Sequence, residues 1–182
     1  HDLGLDVRVV SRRSIAGAKQ CSSVGDAVRA APDAYAVIAD ETSRHGESLN
    51  ALLAAGHQGP VLVEKPLFAT SDAACHPPRK NVFVGYDLRF YNLVATMRER
   101  LDGRTVYTAE LVVGQFLPDW RPGRDYRKVY SAQRDNGGGV LRDLSHEIDL
   151  LLWLFGPWKR VAALVGRTGA LDIDSEDYAH VL

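Results

Sequence analysis

Three titratable side chains recur at every third position in the second half of the sequence: Asp143, His146 and Asp149. They accompany an apolar pattern that repeats at helical spacing from Val140 to Phe155, so one helix would project them from neighbouring positions. Histidine titrates near neutral pH and a nearby carboxylate can orient it or hold its charge, so the pattern suits proton transfer. The alternative, which spacing alone favours, is the solvated edge of an amphipathic helix.

Glycines bound this helix on both sides. Gly137–Gly139 precede it and release the backbone from regular structure, whereas Gly156 and Pro157 end it. The sequence therefore predicts a single helix from Val140 to Phe155.

The first half of the chain alternates short apolar segments with helical patterns. Strands are predicted at residues 6–10, 34–39, 61–63 and 82–84, and helices at 24–31 and from Thr42 or Ser43 to near Gly56. This alternation predicts a parallel sheet with right-handed crossovers, which is half of a doubly wound α/β fold. Ligands bind at the carboxyl ends of such strands, which places Ser11, residues 40–42 and residues 64–66 along one rim.

The pattern changes near residue 87. A helix over residues 93–101, a long strand over 105–116, a polar, aromatic-rich loop over 117–136 and late strands at 161–165 and 178–182 are predicted. Because the late strands no longer alternate with helices, we expect two domains. Residues 1–86 would form the α/β domain, and residues 87–182 an α+β domain with an open, mainly antiparallel sheet.

Composition limits the possible partners. The chain has 182 residues, 46% of them hydrophobic and 25% charged, with a net charge of -1, which argues against nucleic acid or a membrane surface as the main partner. No apolar run has the length of a membrane span. Cys21 and Cys75 lack metal-ligand spacing, so we expect reduced thiols, a cytoplasmic protein and no metal site.

Four segments, taken together, resemble the Gfo/Idh/MocA family of oxidoreductases. They are residues 37–45 (Val-Ile-Ala-Asp-Glu-Thr-Ser-Arg-His), 63–67 (Val-Glu-Lys-Pro-Leu), 84–90 (Val-Gly-Tyr-Asp-Leu-Arg-Phe) and the helix with its flanking glycines, 137–156. The resemblance implies a Rossmann domain that binds NAD or NADP, followed by a domain whose sheet carries a sugar or polyol site. It also implies a homo-oligomer that forms through that sheet.

The resemblance assigns catalytic roles to three residues. Lys65 matches the lysine of the family's Glu-Lys-Pro motif, Asp143 its helix aspartate and His146 its catalytic histidine. Oxidising an alcohol requires a group that accepts the hydroxyl proton, which His146 would provide, while the charge of Lys65 would stabilise a developing alkoxide. The alternative for Lys65 is a surface lysine after a strand.

Cofactor preference can be argued from Ser11, Arg12 and Arg13, which follow the first predicted strand. Arginines at this position fit the 2′-phosphate of NADP, whereas NAD binders place an acid there, so NADP is expected and NAD is possible. A solvated basic turn is the alternative. The resemblance adds the cofactor-contacting residues Thr42, His45, Glu64, Lys65 and Pro66, although Thr42 could instead cap a helix.

Substrate contacts are predicted in the polar loop and beside the helix. Aromatic rings and arginines suit the faces and hydroxyl edges of a sugar. The predicted set is Arg89, Trp120, Arg124, Tyr126, Arg142, Asp143 and His146. A surface or dimer-contact loop is the alternative for residues 118–130, and a salt bridge to Glu147 is the alternative for Arg142.

The sequence departs from the family pattern in several places. The glycine-rich GxGxxG loop and its strand would lie upstream of His1, and part of the second domain would lie beyond Leu182, so a fragment is expected. Asp143 and His146 are three positions apart where the family has four, Asp40-Glu41 replaces a proline-containing turn, and the link 67–81 is short. The open alternatives are a non-catalytic dinucleotide or sugar sensor on this scaffold, and an inactive remnant.

Overall fold

The computed structural model describes residues 4–70 and 79–182. Its first half contains β1 (Arg8–Val9), β2 (Lys19–Gln20), α1 (Val24–Ala30), β3 (Ala36–Ile38), α2 (His45–Ala54), β4 (Val61–Val63) and β5 (Val82–Val84). Its second half contains α3 (Asn92–Leu101), α4 (Leu117–Trp120), α5 (Val140–Asp143), α6 (His146–Phe155), β6 (Ala163–Gly166) and β7 (Tyr178–Val181). No helix among the described residues is long and apolar enough to cross a membrane.

A three-stranded parallel sheet, ordered β3-β4-β5, forms the centre of the first half. Val61 and Val63 of β4 are fully buried because a β-branched strand between two neighbours can be covered on both faces. Ile38 and Leu49 complete the buried cluster, which α2 covers. The α/β class predicted from the alternating pattern is confirmed.

The predicted first strand lies outside this sheet. β1 pairs in parallel with β2, and the two form a separate sheet that shares no hydrogen bonds with β3. Asp40 and Glu64–Pro66 do follow the carboxyl ends of β3 and β4, as predicted, but Ser11 follows a strand of the other sheet.

The helix predicted from Val140 to Phe155 is interrupted. α5 ends at Asp143 and α6 begins at His146, with Leu144 at φ -107°, ψ 35° between them. At this interruption the helix contacts a residue that is far away in the sequence: Lys65 Nζ donates a hydrogen bond to the backbone carbonyl of Asp143. A local apolar pattern cannot report such a contact.

The long strand predicted over residues 105–116 is also wrong, because these residues have no regular structure. Tyr107 and Val112 are 93% and 84% exposed. A strand requires a neighbour for its backbone N–H and C=O groups, and no described strand pairs with this segment. The antiparallel pairing predicted for the second domain is present in β6 and β7, with Ala163 opposite Val181.

The prediction that the cysteines are reduced thiols can be compared with the structure at Cys21. Cys21 is a free thiol, and Cys75 lies outside the described residues, as does the Pro77-Pro78 part of the predicted link.

Gly138 lies where the chain passes closest to the segment before it. A Cβ atom at this position would come within 2.2 Å of the Tyr130 carbonyl oxygen and 2.6 Å of the Ser131 carbonyl oxygen. Gly137, with φ at +80°, lies beside Thr42 and Ala69 of the parallel-sheet half. We call residues 137–139 the glycine turn. It allows the chain to change direction and lets the backbone pack closely against residues 130–131 and against Thr42 and Ala69.

We expect Gly138→Ala to lower the free energy of unfolding by about 1–3 kcal/mol, since backbone must shift to admit the methyl group. Gly114→Ala is the matched control, because a Cβ atom there would meet nothing within 4 Å. Urea unfolding of the two variants provides the comparison. Equal unfolding midpoints would contradict the close packing.

Candidate active site

Lys65 extends from the loop after β4 to the helical segment of the second half. Its Nζ donates to the carbonyl of Asp143, 78 positions later in the sequence. The final carbonyls of a helix lack intrahelical partners, so the end of α5 provides an acceptor for an ammonium group. The peptide bond between Lys65 and Pro66 is cis. Two of the three predicted catalytic residues are thus in direct contact.

Burial and charge act in opposite directions on this pair. Burial lowers the pKa of Lys65, and the carboxylates of Asp143, Glu64, Glu147 and Asp87 oppose that shift. Burial likewise raises the pKa of Asp143, which is 7% exposed, and the Tyr130 hydroxyl and Lys65 oppose it. The site therefore holds a cation and a carboxyl group away from bulk water, where their electrostatic effect on a ligand is strongest.

His146 begins α6 and faces the segment that follows β5. Its Nε2 lies 3.6 Å from Asp87 Oδ1, while its Nδ1 is buried and lacks a hydrogen-bond partner among the described residues. Tyr86 packs edge-on against the imidazole, with ring centroids 5.8 Å apart and planes at 82°. The Tyr86 hydroxyl donates a 3.5 Å hydrogen bond to Ser145 Oγ. The ring is therefore held between α6 and residues 86–87.

Arg89, predicted to bind substrate, is paired with Asp149 of α6. Arg89 Nε donates to Asp149 Oδ2 at 2.7 Å, and Nη2 donates to the other carboxylate oxygen. Asp149 is 6% exposed. This bidentate pair fastens the segment after β5 to the helix that carries His146.

Arg142, also predicted to bind substrate, donates to two backbone carbonyls. Its Nε lies 2.8 Å from the Ala69 oxygen and its Nη1 lies 2.7 Å from the Gly138 oxygen. The alternative contact with Glu147 is not among its interactions in the described residues. Arg142 therefore joins the loop after β4 to the glycine turn.

Two of the predicted cofactor residues are buried. Thr42 is 5% exposed, and α2 begins at His45 with no side-chain cap, so the alternative of Thr42 as the cap of this helix is wrong. His45 is 1% exposed, with Nδ1 2.9 Å from the Pro66 oxygen and Nε2 3.1 Å from the Asp40 oxygen. It joins the loops after β3 and β4.

The predicted phosphate-binding residues are exposed at the end of β1. Ser11, Arg12 and Arg13 are all accessible, and the Ser11 hydroxyl accepts a hydrogen bond from the Arg13 backbone at 3.1 Å. Two accessible guanidinium groups on a short turn fit a phosphate chemically. Glu64 is exposed and Pro66 partly buried at the end of β4.

A cavity of about 230 Å³ lies against Asp143 in the second half. Trp120, Phe116, Leu171 and Ile173 supply apolar walls. Of the other predicted substrate residues in the polar loop, Arg124 is exposed and the Tyr126 hydroxyl accepts a 3.3 Å hydrogen bond from the Asp172 backbone. Trp120 and Asp143 are thus the predicted substrate residues that line this cavity.

Several site residues were not predicted from the sequence. Asp87 and Tyr86 follow β5 just as Lys65 follows β4, so the strand-end argument that selected Lys65 could have found them. Tyr130, which neighbours Asp143 and lies under Arg121 at 5.5 Å, carries no signal of spacing in the sequence.

Part of the chain is similar to a known family of protein domains. Residues 94–182 match the GFO/IDH/MocA C-terminal domain. This match covers slightly less than half of the chain, and over these residues it confirms the resemblance predicted from the sequence. The fold of the described residues is shared with solved structures. No curated protein matches the sequence.

Three solved structures illustrate the similarity. The proposed oxidoreductase YvaA from Bacillus subtilis has a TM-score of 0.73 at 21% identity, over 96% of this chain and 51% of its own. The WlbA dehydrogenase from Bordetella pertussis, in complex with NADH and UDP-GlcNAcA, has a TM-score of 0.63 at 25% identity, over 91% and 49%. The transcriptional regulator Gal80p from Kluyveromyces lactis has a TM-score of 0.66 at 15% identity, over 82% and 41%. The chain spans about half the length, or less, of each.

Removing the Arg89 side chain would leave the carboxylate of Asp149 buried without its partner. We expect Arg89→Leu to lower the free energy of unfolding by about 2–3 kcal/mol. Arg127→Leu removes a similar pair, with Asp125, whose members are 55% and 30% exposed, and should cost much less because water screens exposed ion pairs. A second change, Asp149→Asn, should restore part of the loss in the Arg89 variant but not in the control. Equal losses in chemical denaturation would contradict a special role for the Arg89 pair.

The Asp143→Asn variant tests the burial of that carboxyl group through pH. Because the pKa of Asp143 is raised above its ordinary 3.8, the folded state binds this proton more tightly than the unfolded chain does. The penalty for ionising Asp143 is absent below the unfolded pKa and fully present above the folded pKa. The stability of the variant relative to the natural protein should therefore increase as pH rises from about 4. Urea unfolding at a series of pH values would reveal the slope, and a slope of opposite sign would contradict it.

Proposed function

We propose that the protein is an NADP-preferring oxidoreductase that transfers hydride between nicotinamide and a hydroxyl or carbonyl group of a sugar or polyol. The observation that carries the proposal is the cluster at the carboxyl ends of β4 and β5, where Lys65 contacts the carbonyl of Asp143 close to the start of α6. The similarity of residues 94–182 to the GFO/IDH/MocA C-terminal domain supports the reaction class, and the WlbA structure, which contains NADH and a nucleotide sugar, supports the type of ligand.

Each residue of the site would have a different role in such a reaction. Bound nicotinamide would supply or accept the hydride. His146 would accept the hydroxyl proton during oxidation and return it during reduction. Lys65 would place its positive charge where negative charge develops on the substrate oxygen, and Asp143 would hold a substrate hydroxyl group. In a partly buried site each of these interactions is stronger than it would be in water.

NADP is favoured over NAD by the turn after β1. Arg12 and Arg13 are exposed there and can approach a 2′-phosphate, and the described turn carries no acidic side chain to receive the ribose hydroxyls of NAD. Ser11 would add a hydroxyl contact. Glu64, Lys65 and Pro66 would lie along the dinucleotide, while Thr42 and His45 would shape its site from their buried positions.

The substrate would occupy the space between His146 and the cavity beside Asp143. Trp120 offers an aromatic face for a sugar ring, and Arg124 could reach a charged substituent. We also propose that the second sheet assembles with another copy of the protein, since Leu164 and Val165 of β6 are 64% and 40% exposed.

A non-catalytic sensor is the competing function, and Gal80p shows that a regulator can share this fold. The joint presence of Lys65, Asp143 and His146 favours the enzyme, because a binding protein does not need a group that accepts a proton. Turnover distinguishes the two functions.

The cofactor proposal predicts that the double variant Arg12→Ala/Arg13→Ala binds NADPH at least about tenfold more weakly, with little change for NADH, because only NADPH carries the 2′-phosphate. Fluorescence titration of the full-length protein measures both. Arg104→Ala/Arg167→Ala removes two exposed arginines elsewhere and is the matched control. Equal weakening of NADPH and NADH would overturn the preference for NADP.

If the folded natural protein binds neither NADPH nor NADH, the oxidoreductase proposal is overturned. Where a cofactor binds, turnover is compared with that of His146→Ala across a panel of sugars and polyols. Binding without turnover would favour the sensor.

A further inference from the structure

The two ring nitrogens of His146 have unequal surroundings. Nδ1 is buried and has no hydrogen-bond partner among the described residues, while the side chain as a whole is 21% exposed. In the neutral ring that accepts a proton at Nε2, Nδ1 carries the N–H, and that proton has no acceptor to which it could pass. Nε2 is therefore the nitrogen that can exchange a proton with both a substrate and its surroundings.

Asp87 is the carboxylate that faces Nε2. Its Oδ1 lies 3.6 Å from that nitrogen, and its side chain is 70% exposed. Two other carboxyl groups near His146 are less suited to pass a proton to water: Asp149 is held by Arg89, and Asp143 is 7% exposed. Among the described residues, Asp87 combines salt-bridge distance from His146 with free access to solvent.

The surrounding structure maintains this arrangement. Tyr86 packs edge-on against the imidazole ring, which restricts the plane that the ring can adopt. The Arg89–Asp149 pair fastens residues 86–90 to α6 two residues beyond Asp87. Asp87 is thus an exposed side chain on a backbone that is held close to His146 at two points.

We propose that Asp87 relays the substrate proton between His146 and solvent. The proposal rests on the oxidoreductase function proposed above and adds the route by which the proton leaves. Asp87 acts through His146 and does not contact the reacting atoms.

During oxidation, the substrate loses a hydride and a proton, and the proton reaches water through two residues. The carbon-bound hydrogen leaves the substrate with its electron pair for the nicotinamide, while the hydroxyl O–H bond breaks and an Nε2–H bond forms on His146. That Nε2–H bond then breaks as an O–H bond forms on Asp87, and Asp87 releases the proton to water and returns to its ionised form. Reduction follows the same steps in reverse, with water as the proton source.

The test compares Asp87→Asn with the natural full-length protein in single-turnover oxidation, where cofactor reduction and proton release are followed separately, the latter with a pH indicator. We expect proton release in the variant to lag behind cofactor reduction, and the steady-state kcat to fall about a hundredfold, which is the low end of the effect of a positioned proton-transfer group. Small buffer acids and bases should restore both in proportion to their concentration, because they can replace the missing carboxylate.

Further measurements separate a relay from a structural role. The variant should bind NADPH and unfold as the natural protein does, because the side chain is mostly exposed. Asp87→Glu should recover most of the rate. Asp102→Asn, which removes an exposed carboxylate just beyond α3, should leave kcat and proton release unchanged.

Two failures can be distinguished. Proton release that keeps pace with cofactor reduction in Asp87→Asn, or a lowered kcat that neither buffer nor Asp87→Glu restores, overturns the relay and leaves the oxidoreductase function intact. Absence of turnover in the natural protein overturns both proposals.

Discussion

The hydrogen bond from the Lys65 ammonium group to the carbonyl of Asp143 is the constraint on which the rest of the site depends. It joins the loop after the central strand of the parallel sheet to the helical segment that carries His146. Burying an ammonium group is costly, and the carbonyl together with the surrounding carboxylates offsets that cost. The contact also coincides with the interruption between α5 and α6, so the orientation of Asp143 relative to His146 depends on it.

Local patterns in the sequence predicted the short buried strands of the parallel sheet. The bounds of β4 and β5 agree with the prediction to the residue, because apolar β-branched runs flanked by glycine or polar residues allow few alternatives. The strand over residues 105–116 and the unbroken helix after the glycines were predicted wrongly. Both errors have one cause, since a strand depends on a partner and a helix interruption on a contact that lie far away in the sequence.

In the candidate site, too, local motifs could be predicted from the sequence, whereas contacts between distant residues could not. Motif and strand-end arguments selected Lys65, Asp143 and His146, and the structure brings Lys65 to Asp143 and places His146 at the start of the next helix. They could not show that Arg89 and Arg142 are committed to Asp149 and to two backbone carbonyls. An arginine that binds a ligand and one that joins two segments are identical in sequence. Only the neighbours distinguish them.

The glycine turn at Gly137–Gly139 also bears on which of the proposed substrate contacts could change. A side chain at Gly137 would meet the Thr42 side chain at 2.8 Å, with φ at +80°, so the junction between the halves tolerates little variation. The loop that supplies Trp120 and Arg124 is largely exposed and bound by few contacts, so its residues can change without disturbing that junction. The proposed substrate contacts on this loop could therefore change while Lys65, Asp143 and His146 keep their positions.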